Sequence, residues 1–326
     1  MRSVFLLALA ALVLAGCGGT GAVDRPEEDA VLLLDFAPNA VHSGIYLADA
    51  RGFDDAEGAR VRIRRPSAST DALRLLQAGR ADLAILDIHD LGLARQQGRD
   101  LVGVMAVVQR PLAALLAQAG VRRPRELEGR RAGVTGLPSD DAVLRSIVAG
   151  DGGDPERVRA TTIGFQAVRA LLARRVDAAT AFWNVEGVAL RRRQPSVREF
   201  RVDDFGAPAY PELVLCVTRA TLEERRPLVL AVIRALQRGY GQAQVDPESA
   251  VSAMLEAERG LTRAELDAQM DAVAPAFTAG ARAFGELRPD VLRAWAEWDR
   301  RFGILEREID TEAAFDTSLV GPVSNP

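Results

Sequence analysis

The residues of this sequence that could take part in chemistry are two histidines and a small set of aromatic, amide and acidic side chains. His42 and His89 are its only histidines, and neither stands at metal-binding spacing from a second His or Cys. The sequence has no G-x-S-x-G hydrolase elbow, no G-x-G-x-x-G turn and no Walker-type phosphate loop. We therefore expect no catalytic residue, no metal and no cofactor.

The basic residues narrow the possible chemistry further. All 41 of them are arginine, so no side chain can form a Schiff base, and lysine-linked pyridoxal chemistry is excluded. The net charge is −4 without a long run of one sign, which argues against nucleic acid as a partner.

The remaining polar and aromatic candidates lie where predicted strands end. They are Asp35, Phe36, Asn39, His42 and Tyr46 after the first strand, Asp87 and His89 after a later strand, Trp183, Asn184 and Glu186 after its counterpart in the second half, and Tyr210 before a return strand. Flat rings can stack on a heterocycle, and acids can accept hydrogen bonds from its amino groups. Taken singly, each residue is more typical of a structural role. Residues 183–186 are the exception, because a tryptophan and two polar side chains at a strand exit are poor core material.

One loop has two interpretations. Residues 136–139, which end in Ser139, precede a predicted helix, and backbone N–H groups at such a position can hold an anion. The same pattern equally fits an ordinary capped helix.

The elements that must position these residues alternate between strand and helix. Short apolar runs at 31–34, 83–86 and 101–108 are typical of buried parallel strands, with helical patterns between them. Beyond residue 221 the pattern is entirely helical, and Trp295 and Trp298 share one helix face, as core residues would. The order of elements predicts an α/β fold with a mostly parallel sheet.

A weak internal repeat suggests two lobes. Residues 72–87 align without a gap on residues 167–182, with seven identical pairs that include Asp82 with Asp177. Chance is an alternative explanation in a chain rich in Ala and Arg. If the repeat is structural, each copy carries a loop to the same edge of its sheet, and the two loops face each other across a cleft.

The N-terminus has the features of an export signal. Arg2 precedes an apolar run too short to span a bilayer, and residues 14–17 resemble a lipobox that ends at Cys17. We expect residues 1–17 to be a lipoprotein signal peptide lipidated at Cys17 and residues 18–30 to be a flexible tether. A buried N-terminal helix is the alternative. The other cysteine, Cys216, lies among apolar residues and is expected to be buried and inert.

Residues 34–46 resemble the opening motif of periplasmic binding proteins related to thiamine-pyrimidine synthases, close to L-D-W-x-P-N-x-x-H-x-G-x-Y, with Phe36 in place of the usual tryptophan. Residues 183–188 and 210–214 also resemble segments of these proteins. The resemblance implies a type II periplasmic binding protein fold. Residues 31–118 would begin lobe 1, residues 119–212 would form lobe 2, and residues 213–326 would supply a return strand and helices packed on lobe 1.

The same resemblance implies the solute-binding component of an ABC importer that captures an aminopyrimidine precursor of thiamine. Asn39 and His42 would lie in the cleft from lobe 1, and Trp183 and Glu186 from lobe 2. The partners would be a membrane permease with a separate ATPase, and the protein would be a monomer held outside the cytoplasm by its lipid anchor. The superfamily's enzymes need a pyridoxal-binding lysine and a cysteine-rich motif, which this chain lacks.

Other functions remain open at this point. The family also includes binders of riboflavin precursors, sulfonates and nitrate-like anions. From the residues alone, an exported hydrolase using His42 with an acid is a rival, and so is a sensor lipoprotein that feeds no transporter.

Overall fold

The computed structural model describes residues 28–67 and 71–321, and its strands form two five-stranded sheets, one in each lobe. The predicted signal peptide, the lipidation site Cys17 and most of the predicted tether lie outside these residues. The first strand begins at Glu28, within the stretch expected to be tether. Among the described residues, no helix combines the length and the apolar character needed to cross a membrane.

Strands and helices alternate through most of the chain. The strands are β1 (Glu28–Leu33), β2 (Ala59–Arg64), β3 (Leu83–Asp87), β4 (Leu101–Ala106), β5 (Ala113–Ala117), β6 (Arg131–Val134), β7 (Arg159–Thr162), β8 (Ala178–Phe182), β9 (Arg198–Arg201) and β10 (Leu213–Thr218). The helices are α1 (Ser43–Ala50), α2 (Phe53–Glu57), α3 (Asp71–Gln77), α4 (Ile88–Gln96), α5 (Pro138–Gly150), α6 (Ala167–Leu172), α7 (Val188–Arg193), α8 (Arg219–Glu224), α9 (Arg226–Val245), α10 (Pro247–Ala257), α11 (Arg263–Val273), α12 (Pro289–Arg301) and α13 (Thr311–Ala314). A 3-10 turn at Ala40–His42 and a π-helix at Trp183–Gly187 complete the elements that bear on the site.

The two sheets share one topology. The first has the order β2-β1-β3-β10-β4 and the second has the order β7-β6-β8-β5-β9. In each sheet three neighbouring strands are parallel, and the fourth, which arrives from the other part of the chain, is antiparallel to both of its neighbours. Strands β4 and β5 are buried along their whole length, as expected for strands covered by helices on both faces. The predicted two-lobed α/β class is confirmed.

The first crossing between the lobes lies earlier than the sequence analysis placed it. Strand β5 pairs with β8 and β9 in the second sheet, so lobe 1 ends before Ala113 rather than at residue 118. An apolar run such as residues 112–117 is equally suited to the core of either sheet, and its pattern cannot assign it to one of them. The return crossing agrees with the expectation, because β10 begins at Leu213.

The internal repeat is confirmed as structure. Both copies run from helix to strand through the same turn, and its left-handed residue is Gly79 in one copy and Arg174 in the other. Arg174, with φ 53°, is the only non-glycine residue with positive φ in the described part of the chain. The amide of the next residue donates to the carbonyl five residues back in each copy, the 6→1 bond that ends a helix in a Schellman motif. Asp82 and Asp177 each accept a backbone N–H from the neighbouring strand.

The C-terminal helices pack against lobe 1, as expected. Tyr240 of α9 is fully buried, its hydroxyl donates to the carbonyl of Val41 at 2.7 Å, and its ring stacks on Phe284 with 4.1 Å between centroids. Trp295 and Trp298 of α12 are buried in the core, as their shared helix face predicts.

Helices α1 and α9 approach so closely that a glycine pair is required at their crossing. A Cβ on Gly239 would lie 2.1 Å from the carbonyl oxygen of Gly44 and 2.8 Å from the Cβ of Ala48. Gly239→Ala should therefore lower the free energy of unfolding by about 1–3 kcal/mol, since backbone must move to admit the methyl group. Gly241→Ala in the same helix meets open space and should raise it by up to about 1 kcal/mol, because alanine has the higher helix propensity. Urea unfolding of both variants measures this, and equal effects would contradict the close crossing.

Candidate functional site

A cleft that is partly open to solvent lies between the two lobes. It is lined at the carboxyl ends of β1, β3 and β8 and by the start of α5, the edges at which open α/β sheets place their ligands. The residues that give it chemical character are Asp35, Phe36, Asp87, Asp90, Thr135, Ser139, Asp140, Phe165, Thr180, Phe182 and Glu186.

Aromatic side chains from both lobes wall the cleft. Phe36 follows β1 in lobe 1, and Phe165 precedes α6 in lobe 2. Their rings meet edge to face with 5.1 Å between centroids, and Phe165 remains 46% exposed. Phe182, at the end of β8, adds a third ring to the lining. A flat apolar ligand between the lobes would therefore contact aromatic surface from both of them.

Five carboxyl groups also line the cleft, and no arginine or histidine is among its described lining residues. Asp35, Asp87 and Asp90 come from lobe 1, whereas Asp140 and Glu186 come from lobe 2. Such a cleft accepts hydrogen bonds and attracts positive charge, and it repels anions.

Burial is the largest influence on the pKa of four of these acids, Asp87, Asp90, Asp140 and Glu186. It raises the pKa of Asp90 to about 6, with the charge of Asp140 adding to the rise and the charge of His89 opposing it. Burial likewise raises the pKa of Asp87, of Asp140 and of Glu186, and the charge of Asp140 raises that of Glu186 further. A ligand that supplies N–H donors or a positive charge would stabilise the ionised form of these acids, which burial disfavours.

Asn39 and His42, expected in the cleft, lie directly behind it. Asn39 caps the 3-10 turn by accepting from the amide of Val41, and its own amide N–H donates to Nδ1 of His42 at 3.3 Å. With Nδ1 accepting, the ring proton is on Nε2, which donates to Asp35 Oδ1 at 2.8 Å. The opening motif therefore orients Asp35, the one of these three side chains that reaches the lining.

Tyr46 does not reach the cleft either. Its ring is buried on α1, and its hydroxyl donates to Glu258 Oε1 at 2.6 Å, beyond the end of α10. Because α1 runs away from the cleft, the fourth residue of this helix lies too far along it to meet a ligand.

Of Trp183, Asn184 and Glu186, the three candidates that follow β8, only Glu186 lines the cleft. Trp183 is buried, its indole N–H donates to the carbonyl of Pro111 at 2.9 Å, and the guanidinium of Arg201 lies 4.0 Å from its ring centroid. Asn184 is fully buried, with no hydrogen bond to its amide group among the residues that the structure describes. The wider turn of the π-helix directs these neighbours into the protein and leaves Glu186 toward the cleft, where its Oε2 accepts from the amide of Phe182 at 3.2 Å.

His89 and Tyr210 form part of a buried network at the base of the two crossings rather than a ligand contact. His89 Nδ1 lies 2.8 Å from Asp299 Oδ2 on α12, and Nε2 lies 3.2 Å from the hydroxyl of Tyr210. Burial alone would lower the pKa of His89, but the carboxylates of Asp299, Asp87 and Glu212 raise it to about 10, so the ring is protonated at neutral pH. A polar residue after a strand is compatible with either role, and only the packing of α12 decides between them.

Glu212 connects that network to both crossings. Its Oε2 accepts the amides of Leu112 at 2.6 Å and Ala113 at 3.1 Å on the first crossing, while its own carbonyl accepts the amide of Ile88. Asp87, His89 and Glu212 bring potential metal-ligand atoms within 4.8 Å of one another. In this structure both ring nitrogens of His89 are engaged within the protein, Nδ1 with Asp299 and Nε2 with the hydroxyl of Tyr210.

The carboxylate of Asp140 lies beside the loop at residues 136–139. Asp140 Oδ2 accepts from the amide of Thr135 at 2.7 Å and also from its hydroxyl. A second negative charge in this loop would be repelled, which argues against the anion site. The helix that follows is not capped by a side chain either, because Leu137 at its N-cap position makes no side-chain cap hydrogen bond. Ser139 is buried and contributes to the lining of the cleft.

Sequence reasoning missed four of the acidic and aromatic residues in the cleft, namely Asp90, Asp140, Phe165 and Phe182. Asp90 and Phe182 lie at the two loops that follow the copies of the internal repeat. The repeat therefore indicated that these two residues could reach the cleft. Asp140 lies one residue past the loop that was considered for an anion. Phe165 had no such signal, since it lies in a connection whose path depends on how the lobes meet.

Comparisons with known proteins agree with this architecture. A family model described as NMT1/THI5 like matches residues 39–250. The formylaminopyrimidine-binding protein of Halalkalibacterium halodurans is 33% identical over 256 residues, which cover 77% of this chain and 78% of that protein. A 4-amino-5-hydroxymethyl-2-methylpyrimidine phosphate synthase of Legionella pneumophila is 23% identical over 232 residues, covering 70% of this chain and 73% of the enzyme.

The fold has solved counterparts. The alkanesulfonate-binding protein SsuA from Xanthomonas axonopodis pv. citri, bound to MOPS, superimposes with a TM-score of 0.71, covering 89% of this chain and 98% of that one. Its 17% sequence identity supports a common fold and no more.

Proposed function

We propose that this chain, which belongs to the NMT1/THI5-like family, is the extracytoplasmic solute-binding component of an importer and that its ligand is an aminopyrimidine. The relative that binds a formylaminopyrimidine, at 33% identity, supports the ligand class. The predicted lipid anchor at Cys17, the membrane permease and the separate ATPase belong to the same proposal. So does the monomeric state.

The observation that carries the proposal is the composition of the cleft. Aromatic rings from both lobes offer stacking surface, and five carboxyl groups offer acceptors for ring and exocyclic N–H groups. An aminopyrimidine is flat, aromatic and rich in such donors. A sulfonate or nitrate would instead meet acids with no arginine or histidine among the described lining residues.

Capture follows from the division of the site between the lobes. Asp87 and Phe36 belong to lobe 1, and Glu186 and Phe165 belong to lobe 2, so a ligand touches all four only when the lobes are together. Binding therefore shifts the equilibrium toward the closed form, which is the form offered to a permease.

Two enzymatic alternatives have less support. A hydrolase using His42 needs that imidazole at the substrate, yet His42 is fully buried and its Nε2 is engaged with Asp35. The synthase activity of a more distant relative would, on the family resemblance, need a lysine that this chain does not contain.

The edge-to-face pair of Phe36 and Phe165 should hold the lobes together over the ligand. Phe165→Ala is expected to speed ligand dissociation about 2- to 10-fold, the equivalent of an aromatic pair worth about 0.5–1.5 kcal/mol. Leu172→Ala is the matched control, because Leu172 is similarly exposed at 40% on the adjacent helix and lies outside the lining. Stopped-flow kinetics measures the ligand dissociation rate of both variants. Equal rates would mean that the pair of Phe36 and Phe165 does not hold the lobes together over the ligand.

Thermal unfolding of the purified protein against a ligand panel tests the function itself. The panel comprises a formylaminopyrimidine, riboflavin, an alkanesulfonate and nitrate. An aminopyrimidine at about 100 times its dissociation constant should stabilise the folded state by roughly 2.7 kcal/mol. A shift with the sulfonate or nitrate alone would overturn the proposed ligand class, and a shift with riboflavin alone would replace it with a flavin.

A further inference from the structure

Two acids of the cleft, one from each lobe, line the same ligand space and interact electrostatically. Asp90 comes from the first turn of α4, and Asp140 comes from the first turn of α5. Both line the cleft, and the charge of Asp140 raises the pKa of Asp90, which places the two groups within electrostatic reach.

Asp90 differs from the other acids of the cleft because its carboxyl group has no hydrogen-bond partner in the part of the chain that the structure describes. Asp35 is oriented by His42, Asp87 accepts the amide of His89 at 2.8 Å, Asp140 is held by Thr135, and Glu186 accepts the amide of Phe182. Among the described residues, none forms a hydrogen bond or ion pair with the carboxyl group of Asp90. A partly buried carboxyl group without a partner is costly unless a ligand supplies one.

Asp90 of lobe 1 shares the cleft with Asp140 and Glu186 of lobe 2, and ionised carboxyl groups held close together repel one another. A neutral ligand would leave this repulsion in place. A ligand that carries a protonated amine would cancel it, and would gain charge-assisted hydrogen bonds from both lobes at once.

We propose that Asp90 and Asp140 are specificity-determining residues that select an aminopyrimidine bearing a positively charged amine over its neutral, acylated form and over its phosphorylated form. This inference rests on the proposed function and makes it narrower. It also sets this chain apart from the relative whose name specifies a formylated pyrimidine, since formylation removes the positive charge. The reaction that supplies the ligand would then be one that leaves the amine free, such as hydrolysis of an amide.

Three compounds that share one aminopyrimidine ring test the selection. One carries an aminomethyl arm, one a formylaminomethyl arm, and one a phosphorylated hydroxymethyl arm. Titration calorimetry at pH 7.5 should show the amine binding at least about 10-fold more tightly than the formyl compound, a difference of about 1.4 kcal/mol, with the phosphate weakest. The preference for the amine should grow as pH rises through about 6, where Asp90 becomes ionised.

The variants Asp90→Asn and Asp140→Asn should each reduce the ratio of amine to formyl affinity, whereas Asp267→Asn, an exposed acid on α11, should leave it unchanged. A purely structural role would weaken both compounds equally and preserve the ratio. Formyl binding as tight as amine binding in the unmodified protein, or an unchanged ratio in both variants, would overturn the inference while leaving the proposed function intact. Binding of none of the three would overturn both.

Discussion

Replacing His89 with phenylalanine should lower the free energy of unfolding by about 3–5 kcal/mol, the usual cost of removing one partner from a buried ion pair. The protonated ring is enclosed by Asp299, Asp87 and Glu212, and these acids would lose the cation beside them. Asp299 and Glu212 are almost completely buried, so water cannot compensate them. Chemical denaturation of the variant and the unmodified protein measures the difference.

A double-mutant cycle separates the charge pair from simple loss of packing. The single variants His89→Gln and Asp299→Asn should each lower the free energy of unfolding. The double variant His89→Gln/Asp299→Asn should lower it by less than the sum of these two single effects. Strictly additive costs would mean that the two side chains contribute independently, and would contradict the network.

The pH dependence follows from the same pair. The pKa of His89 is raised from its ordinary value near 6.5 to about 10 in the folded protein, so the folded state binds the extra proton between these values. The contribution of His89 to the free energy of unfolding is therefore fully present below about pH 6.5 and is lost as the pH rises through about 10. The raised pKa values of Asp87, Asp299 and Glu212 act in the same direction. In the variant His89→Phe, the free energy of unfolding should fall less steeply as the pH rises.

Replacing Glu186 with glutamine should weaken aminopyrimidine binding about 10- to 100-fold. Glu186 Oε2 is engaged with the amide of Phe182, which leaves Oε1 to accept from the ligand. Losing a hydrogen bond to a charged acceptor costs about 1.5–3 kcal/mol, and the glutamine amide would also present a donor to the ligand's own N–H groups. The variant retains an oxygen for Phe182, so the fold should be preserved.

Glu256→Gln provides the control for this variant. Glu256 is an exposed acid on α10 without an ion pair in the described part of the chain, and its replacement should leave the affinity unchanged. Calorimetric titration compares the three proteins. An affinity of Glu186→Gln within about 2-fold of the unmodified protein would remove Glu186 from the site.

The sequence predicts the fold more completely than it predicts the residues of the site. Short apolar runs, helix starts and an internal repeat are local signals, and they identified two α/β lobes whose family is confirmed by a match to residues 39–250. The repeat also located the two cleft loops, since equivalent turns at Gly79 and Arg174 lead to β3 and β8.

The side chains within those loops could not be assigned so readily. Asp35, Phe36, Asp87, Ser139 and Glu186 line the cleft as expected. Seven others do not, and they are Asn39, His42, Tyr46, His89, Trp183, Asn184 and Tyr210.

Tertiary packing explains the difference. The position of α12 places Asp299 beside His89, and the π-helix turns Trp183 inward, although the spacing of neither residue in the sequence reveals it. A polar or aromatic residue at a strand end can support a site as readily as it can touch a ligand, and the choice depends on partners that lie hundreds of residues away in the chain.

A crystal structure of the protein grown with an aminopyrimidine would show where the ligand binds. We expect one ring in the cleft between the lobes, in contact with Phe36 or Phe165 and within hydrogen-bond distance of Glu186 and at least one aspartate of lobe 1. A ligand bound elsewhere, or one in the cleft with none of these carboxylates within hydrogen-bond distance, would contradict it.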